Sequence, residues 1–437
     1  MRKIISARFF THLHTSHFSR KWPLWAGALL LGSIALSQSP SGPRTTAYIN
    51  GRWLNGAGFQ PATYYAVNGV LQSKPPAVIT NTIDLNDGYV VPPYGDAHNH
   101  QPNSRKMLTW ANPALFASGV FYVLNPNDIA SLSNPLRSVV GGPATVDIIF
   151  AHGGFTSPGG HPTGIYQSAA DRHLLEVGKD ELEGNAFYTI DTKDDIDKVW
   201  PRFLESKPDA VKLYLYRSEK YTRKSSGRSL GLKPEIAAEI VHRANQSGLR
   251  SLAHVESAQD FHNAIAAGVS VIMHLPGYSW QPDDTESDFL IQDSDARLAA
   301  ERGVPVVTTI AIAERATDKL LLARARAVQV ENLRRLKRAG VRLAIGTDET
   351  PGKFFTEVSS LASTGVFTNR EILQMMTEIS PALIFPERKL GKLMDGYEAS
   401  FLVLDANPME TIQAASHIRL EIKQGQLVPE SLYLRQR

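Results

Sequence analysis

The sequence predicts an α/β protein: a (β/α)8 TIM barrel with a small β-sandwich domain built from both chain ends. Three observations carry this. Apolar, β-rich runs alternate with helical stretches from about residue 92 onward, a pattern that implies parallel strands joined by helical crossovers. Eight such units fit between residues 92 and 388, which suits a barrel better than an open doubly wound sheet. No G-x-G-x-x-G follows an early strand, which counts against a dinucleotide fold.

The chain of 437 residues begins with a segment unlike the rest. Arg2, Lys3, Arg8, Arg20 and Lys21 precede the apolar run WPLWAGALLLGSIALS, residues 22 to 37, and a Ser/Pro-rich linker follows. A basic region, an apolar region and then small residues is the order of a secretory signal. Residues 1–38 are therefore expected to be a signal peptide or an N-terminal anchor, and the protein to be secreted or periplasmic. The run is shorter than the ~20 apolar residues of a full membrane span. The segment holds five basic residues and no acidic one, so its loss turns the formal charge of +3 into −2. A near-neutral chain gives no case for nucleic acid as a partner.

Residues 45–91 form the first part of the β-sandwich domain. AYINGRWLNG carries an Asn-Gly at each end of a short run, and TYYAVNGVLQ carries another, which reads as short strands joined by hairpin turns. The barrel strands follow: YVVPPYGDAH, GVFYVLN (119–125), VDIIFAH (146–152), DAVKLYLY (209–216) and LRSLAHV (249–255), then VSVIMHL (269–275), VPVVTTIA (304–311) and VRLAIGTD (341–348). Helical stretches such as 233–248 and 258–268 lie between them, each ended by Gly. The basic stretch around 316–339 reads as the solvated outer face of a barrel helix, with Leu320, Leu333 and Leu336 turned inward. Residues 389–437 return to β character with SFLVLD and complete the sandwich domain.

Barrel enzymes keep their chemistry at the C-terminal ends of the strands. His98 and His100 end the first strand, and alternation points residues i and i+2 to the same side. Lys212 lies in the fourth strand, His254 ends the fifth, His274 the sixth, and Asp348 the eighth. In DAVKLYLY the aliphatic face suits the outer helices, which sends Lys212 and Tyr214 inward. A lone ammonium there is costly to desolvate, so the amine must be paired, neutral or modified. The chain has no cysteine, so any metal must be held by nitrogen and oxygen. His152, at the rim of the third strand, and His161, in the glycine-rich stretch 151–164, are candidate substrate contacts together with Tyr214. Asp96 reads as structural rather than catalytic.

His98-x-His100, Lys212, His254, His274 and Asp348 together resemble the binuclear metal site of the amidohydrolase superfamily, in its imidazolonepropionase/prolidase-like branch. The likeness spans nearly the whole chain beyond the N-terminal segment, and is closest in 254–277 and in the tail GKLMDGYEASFLVLDANPM. It implies two divalent metal ions, usually Zn2+, with His98, His100 and Asp348 on the more buried ion and His254 and His274 on the more exposed one. Lys212, carboxylated, would bridge them. The chain departs from the family at Pro92-Pro93-Tyr94-Gly95-Asp96, where Pro-Gly-Phe-x-Asp is frequent, and at Ser400, where Asp is common.

The expected activity is hydrolysis of a C–N bond in a small molecule, an amide, imide, lactam or dipeptide, by a metal-activated hydroxide with Asp348 as general base. Phosphotriester or lactone hydrolysis on the same site is the alternative, since an activated hydroxide does not itself choose the electrophile. A non-catalytic secreted metal-binding barrel is the alternative from another class. The sequence leaves the substrate and the oligomeric state open.

Overall fold

The first expected strand does not run through. At Pro92-Pro93 the chain leaves one sheet and enters another, because neither proline can donate a ladder hydrogen bond. The computed structural model describes residues 44–432 apart from Ala57, 218–230, Pro282 and Pro351, so the signal or anchor segment lies outside the described residues.

On the near side of that break lie β1 (Thr45–Asn55), β2 (Gly58–Val67), β3 (Val70–Gln72), β4 (Asn81–Asp84) and β5 (Tyr89–Val91). The Asn-Gly pairs do different things here. Asn68 and Gly69, both in the left-handed region, turn β2 back into β3. Asn50-Gly51 makes no turn; it sits at a register shift inside the single long strand β1.

Beyond it come β6 (Tyr94–Asp96), β7 (Val120–Asn125), β8 (Asp147–Phe150), β9 (Gly154–Thr156), β10 (Phe187–Thr189), β11 (Ala210–Tyr214) and β12 (Arg250–His254). Then follow β13 (Val271–Met273), β14 (Val306–Val307), β15 (Leu343–Ala344), β16 (Phe401–Leu404), β17 (Ile418–Lys423) and β18 (Gln426–Leu427).

Both chain flanks share one sheet, ordered β18-β17-β16-β5-β1-β2-β3, with β4 beside β1. One face buries Tyr48, Trp53, Leu71, Val90, Phe401 and Ile422. Leu402, Leu404 and Ile418 join the main core instead. The central strands form two parallel sheets, β6-β7-β8 and β10-β9-β11-β12-β13-β14-β15. Backbone bonds connect them: Ala97 N–H donates to Ile345 C=O at 2.8 Å, and Asp209 N–H to Phe150 C=O at 2.8 Å.

The glycine-rich stretch 151–164 contains a strand: β9 lies inside it and pairs between β10 and β11. One expectation needs correction. Leu320 does not turn inward. Leu333 and Leu336 are buried, but Leu320 stands in the first turn of the helix Lys319–Ala339 and is 72% exposed. Among the described residues no helix is long and apolar enough to cross a membrane.

Candidate metal centre

The first histidine pair lies just past β6, in the segment that crosses to the end of β15. His98 C=O accepts from Asp348 N–H at 2.7 Å, which fixes the two chain segments against each other. Asp96 reinforces that junction. Its carboxylate accepts from His98 N–H (3.2 Å), Asn99 Nδ2 (3.0 Å), Thr347 N–H (3.0 Å) and Thr347 Oγ1 (2.7 Å). Asp96 is thus structural, and burial raises its carboxyl to about 6 against the pull of those donors.

The junction brings donor atoms together. His98 Nε2 and His100 Nε2 are 3.2 Å apart, and both approach Asp348 Oδ1, at 3.7 and 3.4 Å. Among the described residues this trio is the one group whose His and carboxylate donor atoms lie within 4.8 Å of one another. His100 Nδ1 is taken by Asn127 C=O at 2.8 Å, which leaves Nε2 facing the trio.

His254 and His274 stand beside this group. The ring centres of His98 and His274 are 4.4 Å apart, and those of His254 and His274 4.6 Å. His274 sits in the left-handed region directly after β13, with Nδ1 2.8 Å from Thr309 Oγ1. Lys212 projects from β11 into the same space, only 1% exposed, and has no ion pair among the described residues. Its Nζ lies 5.2 Å from the ring centre of Tyr214.

Burial governs the electrostatics. It pushes the Lys212 amine down to about 7, opposed by the nearby Asp348 carboxylate. It holds His98, His254 and His274 well below the usual imidazole range, and the positive groups around them add to this. Burial raises Asp348, with His100 and Lys212 pulling the other way. Imidazoles, one buried amine and one carboxyl group make a donor set of nitrogen and oxygen only, which fits divalent cations of the zinc type.

These side chains line a cavity of about 370 Å3. His161 and Tyr214, expected as substrate contacts, line it too; His161 packs on His254 with ring centres 4.8 Å apart, and burial lowers its imidazole to about 3. His152 does not reach it, which corrects the expectation. Its ring packs instead beside Asp128 and Ser133. There Nδ1 lies 2.8 Å from Asp128 Oδ1 and 3.2 Å from Ser133 Oγ, fully buried.

Sequence reasoning missed Glu256, Tyr278 and Arg315, which also line the cavity, and the apolar wall of Ile165, Ala169, Leu175 and Ile312. Glu256 had a signal, since it follows His254 by two residues. Tyr278 donates to Glu256 Oε1 at 3.0 Å and lies 3.3 Å from His254 Nε2. Burial lifts the Glu256 carboxyl to about 7, against His161 and Arg217.

Residues 222–428 match the model of the amidohydrolase family. The ochratoxinase of Aspergillus niger is 29% identical over 185 residues, 41% of this chain and 37% of that protein, so the match spans little more than a third of the curated relative. Among solved structures, A. niger ochratoxinase aligns at 16% identity and TM-score 0.69, covering 88% of this chain and 95% of that one. Molinate hydrolase aligns at 14% identity and TM-score 0.70, covering 90% and 97%. A Xaa-Pro dipeptidase with bound methionine aligns at 20% identity and TM-score 0.67, covering 88% and 99%. At these identities the structures speak for the fold, and the fold agrees with the resemblance read from the metal-site residues.

Proposed function

We propose that this amidohydrolase-superfamily protein is a metal-dependent hydrolase that cleaves a C–N bond in a small molecule, an amide, imide, lactam or dipeptide. One observation carries the reading: His98, His100, Lys212, His254, His274 and Asp348, drawn from five separate parts of the chain, converge on one cavity. The same reading takes β6 to β8 and β11 to β15, joined through Ala97–Ile345 and Asp209–Phe150, as the eight strands of one closed (β/α)8 barrel, with β9 and β10 added beside β11 and the flanking sheet as its β-sandwich domain.

His98, His100 and Asp348 would hold an inner cation, His254 and His274 an outer one, with Lys212 between them as a carbamate. When bound, two such ions supply the acidity that makes water a nucleophile near neutral pH and a Lewis acid for the scissile bond. The rest falls to the protein. The deprotonated Lys212 amine would add to CO2: an N–C bond forms as one C=O π bond opens onto oxygen, the proton leaves to solvent, and the anion, costly to bury alone, would be offset by the two cations. Asp348 takes a proton from the attacking water and returns it to the departing nitrogen. His161 and Tyr214 contact the substrate, and the wall of Ile165, Ala169, Leu175 and Ile312 receives its apolar part. A cavity of this size takes a small molecule rather than a folded chain. The relative named a Xaa-Pro dipeptidase supports a C–N bond as the target.

A hydrolysis screen of the zinc-loaded protein over N-acyl amino acids, dipeptides, cyclic imides, lactones and phosphotriesters tests the choice of bond. Turnover is expected in the first three classes, and Asp348→Asn should remove it, with a loss of at least ~100-fold. Turnover of lactones or phosphotriesters alone would contradict the assignment, and turnover of none would favour a binding protein. Export is part of the same proposal: N-terminal sequencing of protein from a secreted or periplasmic fraction should begin near residue 38.

A further inference from the structure

Glu357, on the helix Phe354–Ser363, is a fully buried acid outside the metal centre, and the mechanism does not use it. Its carboxylate is wrapped by a single turn from another part of the chain. It accepts from Thr308 Oγ1 at 2.5 Å, Ile310 N–H at 3.0 Å and Ala311 N–H at 2.8 Å. The residue in the middle of that turn, Thr309, has φ +45°, a left-handed backbone that a β-branched side chain rarely adopts. Such strain persists only where surrounding contacts over-determine it, and the three donors closed on Glu357 are those contacts. In that conformation the Thr309 hydroxyl reaches His274 Nδ1 at 2.8 Å.

We propose that Glu357 is a positioning residue: it folds Thr308–Ala311 around its carboxylate so that Thr309 accepts the Nδ1 proton of His274, which leaves Nε2 bare and aimed into the cavity. This rests on the reading of His274 as a ligand of the outer cation. An imidazole binds a metal through the nitrogen that carries no proton, and the partner of the other nitrogen selects it. His100 is fixed through Asn127 C=O, a backbone acceptor that no side-chain substitution removes directly. His274 depends on a hydroxyl, which could rotate and donate instead, so something must hold the turn that carries it. The carboxylate does so from the helix that follows β15, while His274 follows β13. The arrangement therefore ties one candidate ligand to the helix beyond another strand.

The test uses the full-length protein as wild type, Glu357→Gln, Thr309→Val and Thr309→Ser. An amide at position 357 turns an NH2 group toward one of the backbone N–H donors and should open the turn. Valine keeps the shape of Thr309 without its oxygen, and serine restores the oxygen. In metal-free protein, nitrogen NMR of labelled histidine should show His274 as a single tautomer protonated at Nδ1 in wild type and Thr309→Ser. Glu357→Gln and Thr309→Val should show a mixture. Stepwise zinc titration should show the weaker of two sites losing about 10- to 100-fold in affinity in those two variants, with the tighter site unchanged.

A single Nδ1-protonated tautomer in both Glu357→Gln and Thr309→Val would overturn the proposal. So would an equal fall of both zinc affinities in step with melting temperature, which marks a merely structural role. If Glu357→Gln does not fold, Thr309→Val carries the test. A wild type that binds fewer than two zinc ions contradicts the binuclear reading, and the tautomer comparison then decides the positioning role by itself.

Discussion

His98 and His100 present two ring nitrogens 3.2 Å apart beside a carboxylate, and the groups around them are arranged to keep those atoms in place. Asp96 contributes most directly, because its carboxylate takes donors from both the first and the last parallel strand regions. Asp96→Ala leaves those donors buried without a partner, and urea denaturation of the metal-free protein should show a loss on the order of 3 kcal/mol. At this scale the sequence was legible wherever chemistry is local. His98, His100, His254, His274 and Asp348 follow or end apolar runs and Lys212 lies inside one, and a polar side chain there needs an explanation. His152 looked equivalent and was not. Asp128 and Ser133, drawn from an earlier stretch of the chain, hold its ring, and nothing at position 152 reveals them. Thr309 and Glu357 were illegible for a different reason, since their meaning lies in each other and they are far apart in the chain.

The strands bring these residues into one place by lying unusually close. Gly346, between β15 and Asp348, faces His98 so tightly that a Cβ would stand 2.6 Å from His98 Cβ, 3.0 Å from His98 N and 2.4 Å from Val307 Cγ1. The backbone on one side cannot yield, so Gly346→Ala should cost about 1–3 kcal/mol through overpacking. It should also push His98 out of register, and zinc titration of the variant should show weakened binding at the inner site. A variant with wild-type stability and zinc affinity would mean that the approach is less close than described. The existence of most parallel strands was readable from apolar runs, but their ends were not. β14 and β15 are each two residues long inside runs of eight: β14 gives way to the turn closed on Glu357, and β15 to the segment bonded to Ala97 and His98. β9 and β10 escaped notice, as three-residue strands amid glycine and polar residues leave no periodic pattern.

Across the whole molecule, the flanking sheet and the parallel strands are joined by buried charge as well as by apolar packing. Lys423 of β17 donates to Asp147 of β8 and to Gly142 C=O. Arg388 bridges Asp147 and Glu398, each at 2.6 Å. Without Lys423, Asp147 keeps Arg388 but loses one of its two cationic partners, so Lys423→Met should lose about 1–3 kcal/mol in denaturant unfolding. Adding Asp147→Leu to it should recover part of that loss only if Arg388 keeps Glu398. The β character of both flanks was readable in the sequence, whereas the ionic junction was not, because its members are drawn from residues 147, 388, 398 and 423.

The proposed two-ion centre, held by the six converging side chains with Lys212 between the ions, is tested by metal analysis of purified protein. Mass spectrometry should find about two divalent ions per chain in wild type, and in Lys212→Ala a fall to one or fewer with the circular dichroism spectrum unchanged. A wild type holding a single ion, with Lys212→Ala holding the same, would contradict it.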